Sequence, residues 1–467
     1  MAESIDIQDF RGKHVHIIGI MGASLCGLAD LLKEQGYQVT GSDMKETIFT
    51  PFVQHTGIPY TIGHRVENVQ GADLVVYSAA VPPTNVELAY AMEHGIPAMG
   101  RAELLGQLMK QHPVAIGVSG CHGKTTITSL IGLMLLKGGM DPTIHVGGVL
   151  DYLDAGGTRL GKGDAMVVES CEYRDSFLQF YPTIAIVNNI DDDHPDYFAS
   201  IEQAAESYAK FVARLPEDGV VFGCADDPRV VQLMKTCGRP CVSYGLSAQA
   251  DWTATDISYD QHGFSTFTPV HHGQKLTPIH LGLPGAYNIS NALCAMAVAS
   301  HLGVGMQAID DACATYHAAE RRFEFHGQVD GVNVYHDFAH NPTAVKACMQ
   351  AAQMIPHRKL WVVFQCNSFS RAHQFFDRFV EAFDAADCTI IAQIFPGRET
   401  DTGLVNGQQM SDAIRARGKE SYYIPTFPEI GAFLRQRWQA GDLVLMVGSG
   451  DIDQHVWEVM GQAGPRG

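Results

Sequence analysis

The sequence predicts an α/β protein built as three units in series, and three observations carry that reading. Short apolar runs of strand length alternate with apolar residues spaced three and four apart, the pattern of strands followed by helices. Two Gly-containing turns each follow such a run and open a helical pattern, an arrangement suited to phosphate groups at the edge of an open parallel sheet. The 467 residues suffice for two to four domains at roughly 100 to 200 residues each, which excludes a single small module.

In chain order, Val15 to Ile18 and Leu74 to Tyr77 read as strands, and Leu25, Leu28, Ala29 and Leu32 form the apolar stripe of a helix closed by Gly36. This first unit is expected to span 1–109. The second, 110–322, opens with the buried-type run VAIGVSG at Val114, turns through glycines, and continues as a helix through Ile127, Leu130, Ile131, Met134 and Leu135 to Gly138. Strands are expected at Ala165 to Glu169 and Thr183 to Asn188, and the alternating region from Trp252 to Ile279 reads as an antiparallel meander. The third unit, 323–467, has apolar runs at Leu360 to Gln365, Thr389 to Phe395 and Leu443 to Gly448, separated by helical lengths. No repeat or long linker separates the units, so they are expected to pack closely.

Composition narrows the function classes. Thirty-two basic against 51 acidic side chains give a net charge of −19, the wrong sign for a chain that coats nucleic acid or anionic lipid. The 46% hydrophobic and 18% charged content is that of a folded globular protein, which excludes disorder. Eleven cysteines, scattered from Cys26 to Cys388 without C-x-x-C spacing, read as free thiols in a reducing compartment. The polar N-terminus lacks the pattern of a secretory signal, and no run approaches the roughly 18 apolar residues of a membrane helix. A cytoplasmic protein with neither nucleic acid nor membrane as partner is expected.

The strongest chemical signal is Gly120-Cys121-His122-Gly123-Lys124-Thr125-Thr126, between a strand and a helix. Glycines let backbone N–H groups turn onto phosphate oxygens, the helix start adds partial positive charge, Lys124 supplies a full one, and the Thr125 hydroxyl can hold Mg²⁺. The strict phosphate-loop pattern fails, because Val118 stands five before Gly123, so this is a shortened variant. Glu169 and Glu172 follow one expected strand, and Asp191, Asp192, Asp193 and His194 follow the next. Ligands collect at the C-terminal ends of strands in open α/β sheets, so Thr125, Glu172 and His194 are candidate ligands of Mg²⁺. The Asp191–Asp193 run reads as easily as a solvated acidic turn as a functional segment, since one of the three can be functional and the others not. Near the start, Gly19, Gly22 and Ser24 follow a strand and Asp43 ends the next, which by itself suggests a dinucleotide site and leaves a nicotinamide oxidoreductase open.

Taken together these residues resemble the Mur ligase family, ATP-dependent amide ligases of peptidoglycan precursor assembly. The likeness runs through HIIGIMGASLCGLA and GSD, SGCHGKTT, ESCEYRDSF, NNIDDDHPDYF, PGAYNISNA, ERRFE, YHDFAHNP, FQCNSFSR and GSGDI, in family order. It implies an N-terminal Rossmann-like domain for a UDP-sugar, a central P-loop ATPase-type α/β domain, and a C-terminal Rossmann-like domain for an amino acid. The implied reaction joins an amino acid, foremost L-alanine, to the lactyl carboxylate of UDP-N-acetylmuramate through an acyl phosphate, with ATP and Mg²⁺. Carried over by position, Lys124, Glu172 and His194 act on the transferring phosphoryl group, with Thr125, Glu172 and His194 as metal ligands. Gly120 to Thr126, Asn288, Asn291 and Arg322 meet ATP; Gly19, Met21, Gly22, Ala23, Ser24, Asp43 and Ser78 meet the UDP moiety; His340 and Arg371 orient the amino acid.

Against the family pattern, Cys121 replaces Thr, Tyr287 replaces His and Phe338 replaces Tyr, while Asn341, Cys366 and Asn367 also depart, and Met21 and Ser24 stand for glycines. Each swap alters hydrogen-bonding capacity. Two alternatives therefore stay open beside the oxidoreductase: a diverged ligase using another amino acid, a recycled peptide or a carboxylate outside the cell wall, and a silent protein that only binds a UDP-precursor.

Overall fold

A computed structural model of the chain describes residues 5–153, 157–194, 197–317, 322–397, 399–401 and 403–464. The first sheet has five parallel strands, in the order Tyr60–Ile62, Gln38–Asp43, His14–Ile18, Leu74–Tyr77, Ala98–Gly100. Parallel strands are covered on both faces, which is why Leu74–Tyr77 reads as an unbroken apolar run and Val15 to Ile18 is broken only by His16. The helix Leu25–Glu34 buries the expected stripe, and Gly36 follows it in the left-handed region at φ 91°.

The second sheet has eleven strands. Val114–Ser119 lies in its parallel part, between Ile184–Val187 and Ala165–Glu169. The expected meander departs from a simple up-and-down order. Trp252–Tyr259 pairs one side of Phe264–His271, while Gln274–Lys275 and Ile279–Pro284 share the other, each covering part of its length. A single bridge, Tyr244 to Trp252, joins this antiparallel end to the parallel strands. The third sheet runs Glu324–Val329, Val332–Asp337, Leu443–Val447, Leu360–Phe364, Cys388–Ile391, Glu420–Tyr423, all parallel except the first pair. Three α/β units in series are thus present, and each carries strand C-terminal ends toward polar loops.

The units pack as expected. One apolar cluster runs from Leu104, Leu105, Leu108 and Met109 of the first unit into Phe177, Phe180 and Tyr208 of the second. Beside it the Leu25–Glu34 helix approaches the second unit so closely at Gly27 that any side chain there would strike Thr158. The second and third units meet through charges: Asp193 receives Arg371 at 2.9 Å, and Asp191 and Asp192 lie 3.4 and 3.6 Å from Arg378. The acidic run is therefore engaged by the third unit at all three positions, and none of it is a free solvated turn. Among the described residues no helix is long and apolar enough to cross a membrane, and all eleven cysteines are free.

Candidate active site

Val114–Ser119 ends at Gly120, and the helix Lys124–Lys137 begins four residues later. Gly123 supplies a left-handed turn, φ 81°, and lies against the amides of Asn188 and Asn291, where a Cβ would have no room. A chain of carboxamides holds the loop from behind. Asn189 Oδ1 accepts from His122 N at 2.8 Å, and Asn188 Nδ2 donates to His122 O at 2.9 Å and to Asn291 Oδ1 at 3.2 Å. Tyr244 OH donates to Asn188 Oδ1 at 2.8 Å, and Asn291 Nδ2 to Asn288 Oδ1 at 3.1 Å. Asn288 and Asn291 thus both reach the site, but they are buried and already occupied in shaping the loop. Asn188, Asn189 and Tyr244 were not among the expected site residues; only the first two stood in the quoted NNIDDDHP motif.

Lys124 turns back over its own loop. Nζ donates to Gly120 O at 2.6 Å and to both Glu172 oxygens, at 3.2 and 2.9 Å. Burial alone would lower the ammonium pKa, but Glu172 outweighs it and holds Lys124 above its ordinary value, so it is a permanent cation. His194, itself at φ 56°, places Nε2 3.7 Å from Glu172 Oε1. Thr125 Oγ1 donates to Glu169 Oε2 at 3.1 Å, an oxygen that also accepts from Gly147 N at 3.0 Å. Of the expected trio, Glu172 and His194 meet beside Lys124, while the Thr125 hydroxyl turns to Glu169, a carboxylate that the spacing alone did not select.

Lys124, Thr125, Glu169 and His194 line one wall of a cavity of about 400 Å³ closed by the third unit. Arg322 stacks on Phe338 with 5.5 Å to the ring centroid, and the Asp337 carboxylate accepts from Phe323 N and Ala339 N at 2.8 and 2.7 Å. Asn341 Nδ2 donates to His122 Nε2 and to Asp193 Oδ2, both at 3.2 Å, so this departure from the family pattern sits in the seam. Arg371 uses Nη2 on Asp193, while its buried Nε has no hydrogen-bond partner among the described residues. A guanidinium fork half filled, held on an aspartate that lines the cavity, is suited to a carboxylate from a ligand. His340 Nδ1 lies 2.9 Å from Phe338 O, so Nδ1 carries the hydrogen and Nε2 keeps its lone pair.

Burial, helped by Arg371, pushes His340 down to about 4, and burial with Arg101 pushes His145 down to about 3. Both rings stay neutral in the folded chain while an unfolded histidine protonates near 6.5. The unfolded state then binds more protons between pH 6.5 and those lower values. Stability is full above that window and is expected to fall with acidification, by up to about 1.4 kcal/mol per pH unit for each ring. Thermal unfolding between pH 6.5 and 5, above the range where carboxylates titrate, checks this; an unchanged midpoint would contradict it.

Two cysteines were expected in ligand loops. Cys121 does stand in the loop, but its thiol sits against Tyr208 and Asp191 O, and burial followed by the Glu172 charge pushes its pKa up. Cys366 is 1% exposed and burial pushes it up to about 12, so it backs the site without lining the cavity. Asn367 likewise spends its amide on Ser449 Oγ at 2.9 Å. Alkylation of the folded chain by N-ethylmaleimide is expected to spare Cys121 and the chain's activity, with label confined to accessible thiols such as Cys241 and slow even there, because burial and Cys237 push that thiol up to about 12. Peptide mapping checks it; Cys121 labelling in step with inactivation is the contrary result.

At the first unit, Gly19 and Gly22 form the expected turn, closed by Gly22 N on Gly19 O at 3.0 Å. Asp43 Oδ2 accepts from Met21 N at 2.9 Å, so part of the carboxylate supports the turn. The Met21 side chain is buried in the core, leaving only its backbone on the loop, and Ala23 lies in the same turn. The Ser24 hydroxyl is drawn into the seam, 2.8 Å from His145 Nε2 and 3.3 Å from Arg101 Nη1. Ser78 follows the strand Leu74–Tyr77 and accepts from Ala80 N at 3.2 Å. Arg101, which bonds Ser24 and lies near Glu169 and Cys171, links this turn to the end of the strand Ala165–Glu169 and was missed, because nothing in its local sequence marks it.

Comparison with known proteins agrees with this layout. The family models described as "Mur ligase family, catalytic domain", "Mur ligase middle domain" and "Mur ligase, glutamate ligase domain" match residues 14–113, 118–299 and 321–450. The chain is 42% identical over 441 residues, 94% of either chain, to the UDP-N-acetylmuramate--L-alanine ligase of Acetivibrio thermocellus. It is also 42% identical, over 448 residues, to that of Caldanaerobacter subterraneus subsp. tengcongensis, covering 96% of this chain and 97% of the other. Among solved structures, UDP-N-acetylmuramate-alanine ligase from Thermotoga maritima superposes with a TM-score of 0.79 at 24% identity, covering 96% of this chain and 98% of that one.

Proposed function

This chain belongs to the Mur ligase family, and from that premise we propose that it joins L-alanine to the lactyl carboxylate of UDP-N-acetylmuramate, driven by ATP, in peptidoglycan precursor synthesis. The observation that carries the reading is the Lys124–Glu172–His194 constellation at the phosphate loop, beside a cavity that Lys124, His194, Arg322 and His340 line, with Arg371 held next to it on Asp193. The first unit, 1–109, holds the UDP-sugar on the Gly19–Ser24 turn, Asp43 and Ser78. The second, 110–322, holds ATP on Gly120 to Thr126, Asn288, Asn291 and Arg322. The third, 323–467, holds the amino acid. Precursor synthesis from ATP and a nucleotide sugar is work for the cytoplasm.

The γ-phosphoryl group passes from ATP to the lactyl carboxylate, giving an acyl phosphate and ADP. Loop N–H groups and Lys124 neutralise charge on the group in flight, and Arg322, at the end of the second unit, grips phosphate oxygens. The half-filled fork of Arg371 takes the carboxylate of L-alanine and aims its amine at the acyl carbon. His340 Nε2 accepts a hydrogen from that amine; attack gives a tetrahedral intermediate that collapses to amide and phosphate. Thr125, Glu172 and His194, beside Glu169, offer the mostly oxygen donor set that suits Mg²⁺, which when bound supplies further neutralisation of phosphate charge.

A panel of amino acids, each with UDP-N-acetylmuramate and ATP, tests the reading by mass detection of the product. One amide, with L-alanine strongly preferred and ADP release requiring both acceptor and amine, is expected. Preference for another amino acid or for a recycled peptide would replace it with the diverged-ligase reading, and no amide with any amine would sink it.

A further inference from the structure

Outside the cavity, the hairpin that opens the third sheet gathers three metal-binding side chains. Glu324 and His336 are direct cross-strand partners on Glu324–Val329 and Val332–Asp337, and His326 lies two residues beyond Glu324. The ladder slips between Phe325 and Gly327, so His326 occupies a bulge, a device that re-aims a side chain relative to plain alternation. Its ring meets His336 at 6.1 Å and Trp457 at 5.6 Å, both edge-on. One donor atom from each of Glu324, His326 and His336 lies within 4.8 Å of the others.

His326 Nε2 is buried and makes no hydrogen bond; the nearest carboxylate oxygen, Glu324 Oε2, is 3.7 Å away. Burying a ring nitrogen without a hydrogen bond costs free energy that a metal–nitrogen bond would offset. His336 is fully buried, which fixes its ring, whereas Glu324 is partly exposed. Metal bonds of roughly 2.0–2.2 Å draw donors closer than 4.8 Å, a closure within reach of the Glu324 side chain.

We propose that Glu324, His326 and His336 form a binding site for one divalent transition-metal ion of the zinc class, separate from the phosphate-loop site. Two imidazoles and one carboxylate select zinc, cobalt or nickel over Mg²⁺, which favours an all-oxygen shell. The ion clamps the two strands just before Asp337, whose carboxylate holds the Phe323 and Ala339 amides at the cavity wall. Its role is to brace that wall, so it works whether or not substrates are bound.

The test uses the full chain, stripped with chelator and dialysed against Co²⁺ in excess Mg²⁺, with metal content and the visible absorption spectrum as readouts. Wild type is expected to retain one equivalent more than His326→Ala, with nitrogen and oxygen ligand-field bands and no thiolate charge-transfer band for that equivalent. Glu324→Gln, at a partly exposed position, is expected to weaken binding about tenfold or more while leaving the circular dichroism unchanged. X-ray absorption on zinc-loaded wild type needs no variant and is expected to show two imidazoles. Equal metal content in wild type and His326→Ala, or a zinc shell of sulfur or of oxygen alone, would overturn the assignment.

Discussion

Replacing Lys124 with methionine is expected to slow amide formation by at least about 10³-fold, the scale on which a group that neutralises transferring phosphoryl charge acts. Lys124 bonds both Glu172 oxygens and lies across the loop that the carboxamide chain shapes. Glu172 is 1% exposed, so deleting its cation leaves a buried unpaired charge, and breaking such a pair typically costs about 3–5 kcal/mol. The single variant should therefore lose both activity and thermal stability. Lys124→Met combined with Glu172→Gln removes both charges and is expected to recover much of the stability while remaining inactive. Initial rates by product mass, beside thermal unfolding, separate the two effects; a single variant retaining a tenth of the activity would refute the role given to Lys124.

Arg371→Ala is expected to raise KM for the amino acid by about 10²-fold, the scale of a lost pair of charge-assisted hydrogen bonds. Because Asp193 is only 4% exposed, stability should fall too, and acidification should partly relieve that loss by protonating the orphaned carboxylate. Burial alone would raise the pKa of Asp193, yet Arg371 and the surrounding histidines hold it well below the usual carboxylate range, so deleting Arg371 releases it upward. Arg371→Lys should restore charge but not the two-pronged grip, leaving KM high. The contrast is Arg378→Ala. Arg378 pairs with Asp191 and Asp192 in the same seam, but is itself 41% exposed, so its loss should leave KM for the amino acid within about twofold. Equal effects of the two substitutions would show that Arg371 acts only as a fastener between units.

Why some of this was legible in advance follows from the range of the interactions. The Lys124 loop was readable because strand, glycines, lysine and helix start are consecutive, and backbone geometry alone brings them together. Glu172 and His194 were readable from position, since both follow strands whose C-terminal ends share one edge of a parallel sheet. The choice of Glu169 beside Thr125 was not, because the side of a strand end on which a carboxylate falls depends on twist and on Gly147 opposite. The Asp191–Asp193 run looked half idle because its partners lie 178 and 187 residues away for Asp193 and Asp191, beyond any local pattern. Ser24 and Met21 were placed with the UDP moiety from loop position; a neighbouring unit then claimed one side chain and the core the other.

The amino-acid sequence by itself determined the α/β class, the three units, the phosphate loop and the family, because these rest on hydrophobic period, glycine placement and short consecutive motifs that act within a few residues. Only the tertiary structure decided which carboxylate meets Thr125, that the aspartates fasten the third unit through Arg371 and Arg378, and that His340 is neutral. It alone brought Glu324, His326 and His336 within 4.8 Å of one another. Those outcomes are set by burial and by contacts between distant segments: electrostatic energies steepen as water is excluded, and which groups lose their water is known only once the chain has closed around them.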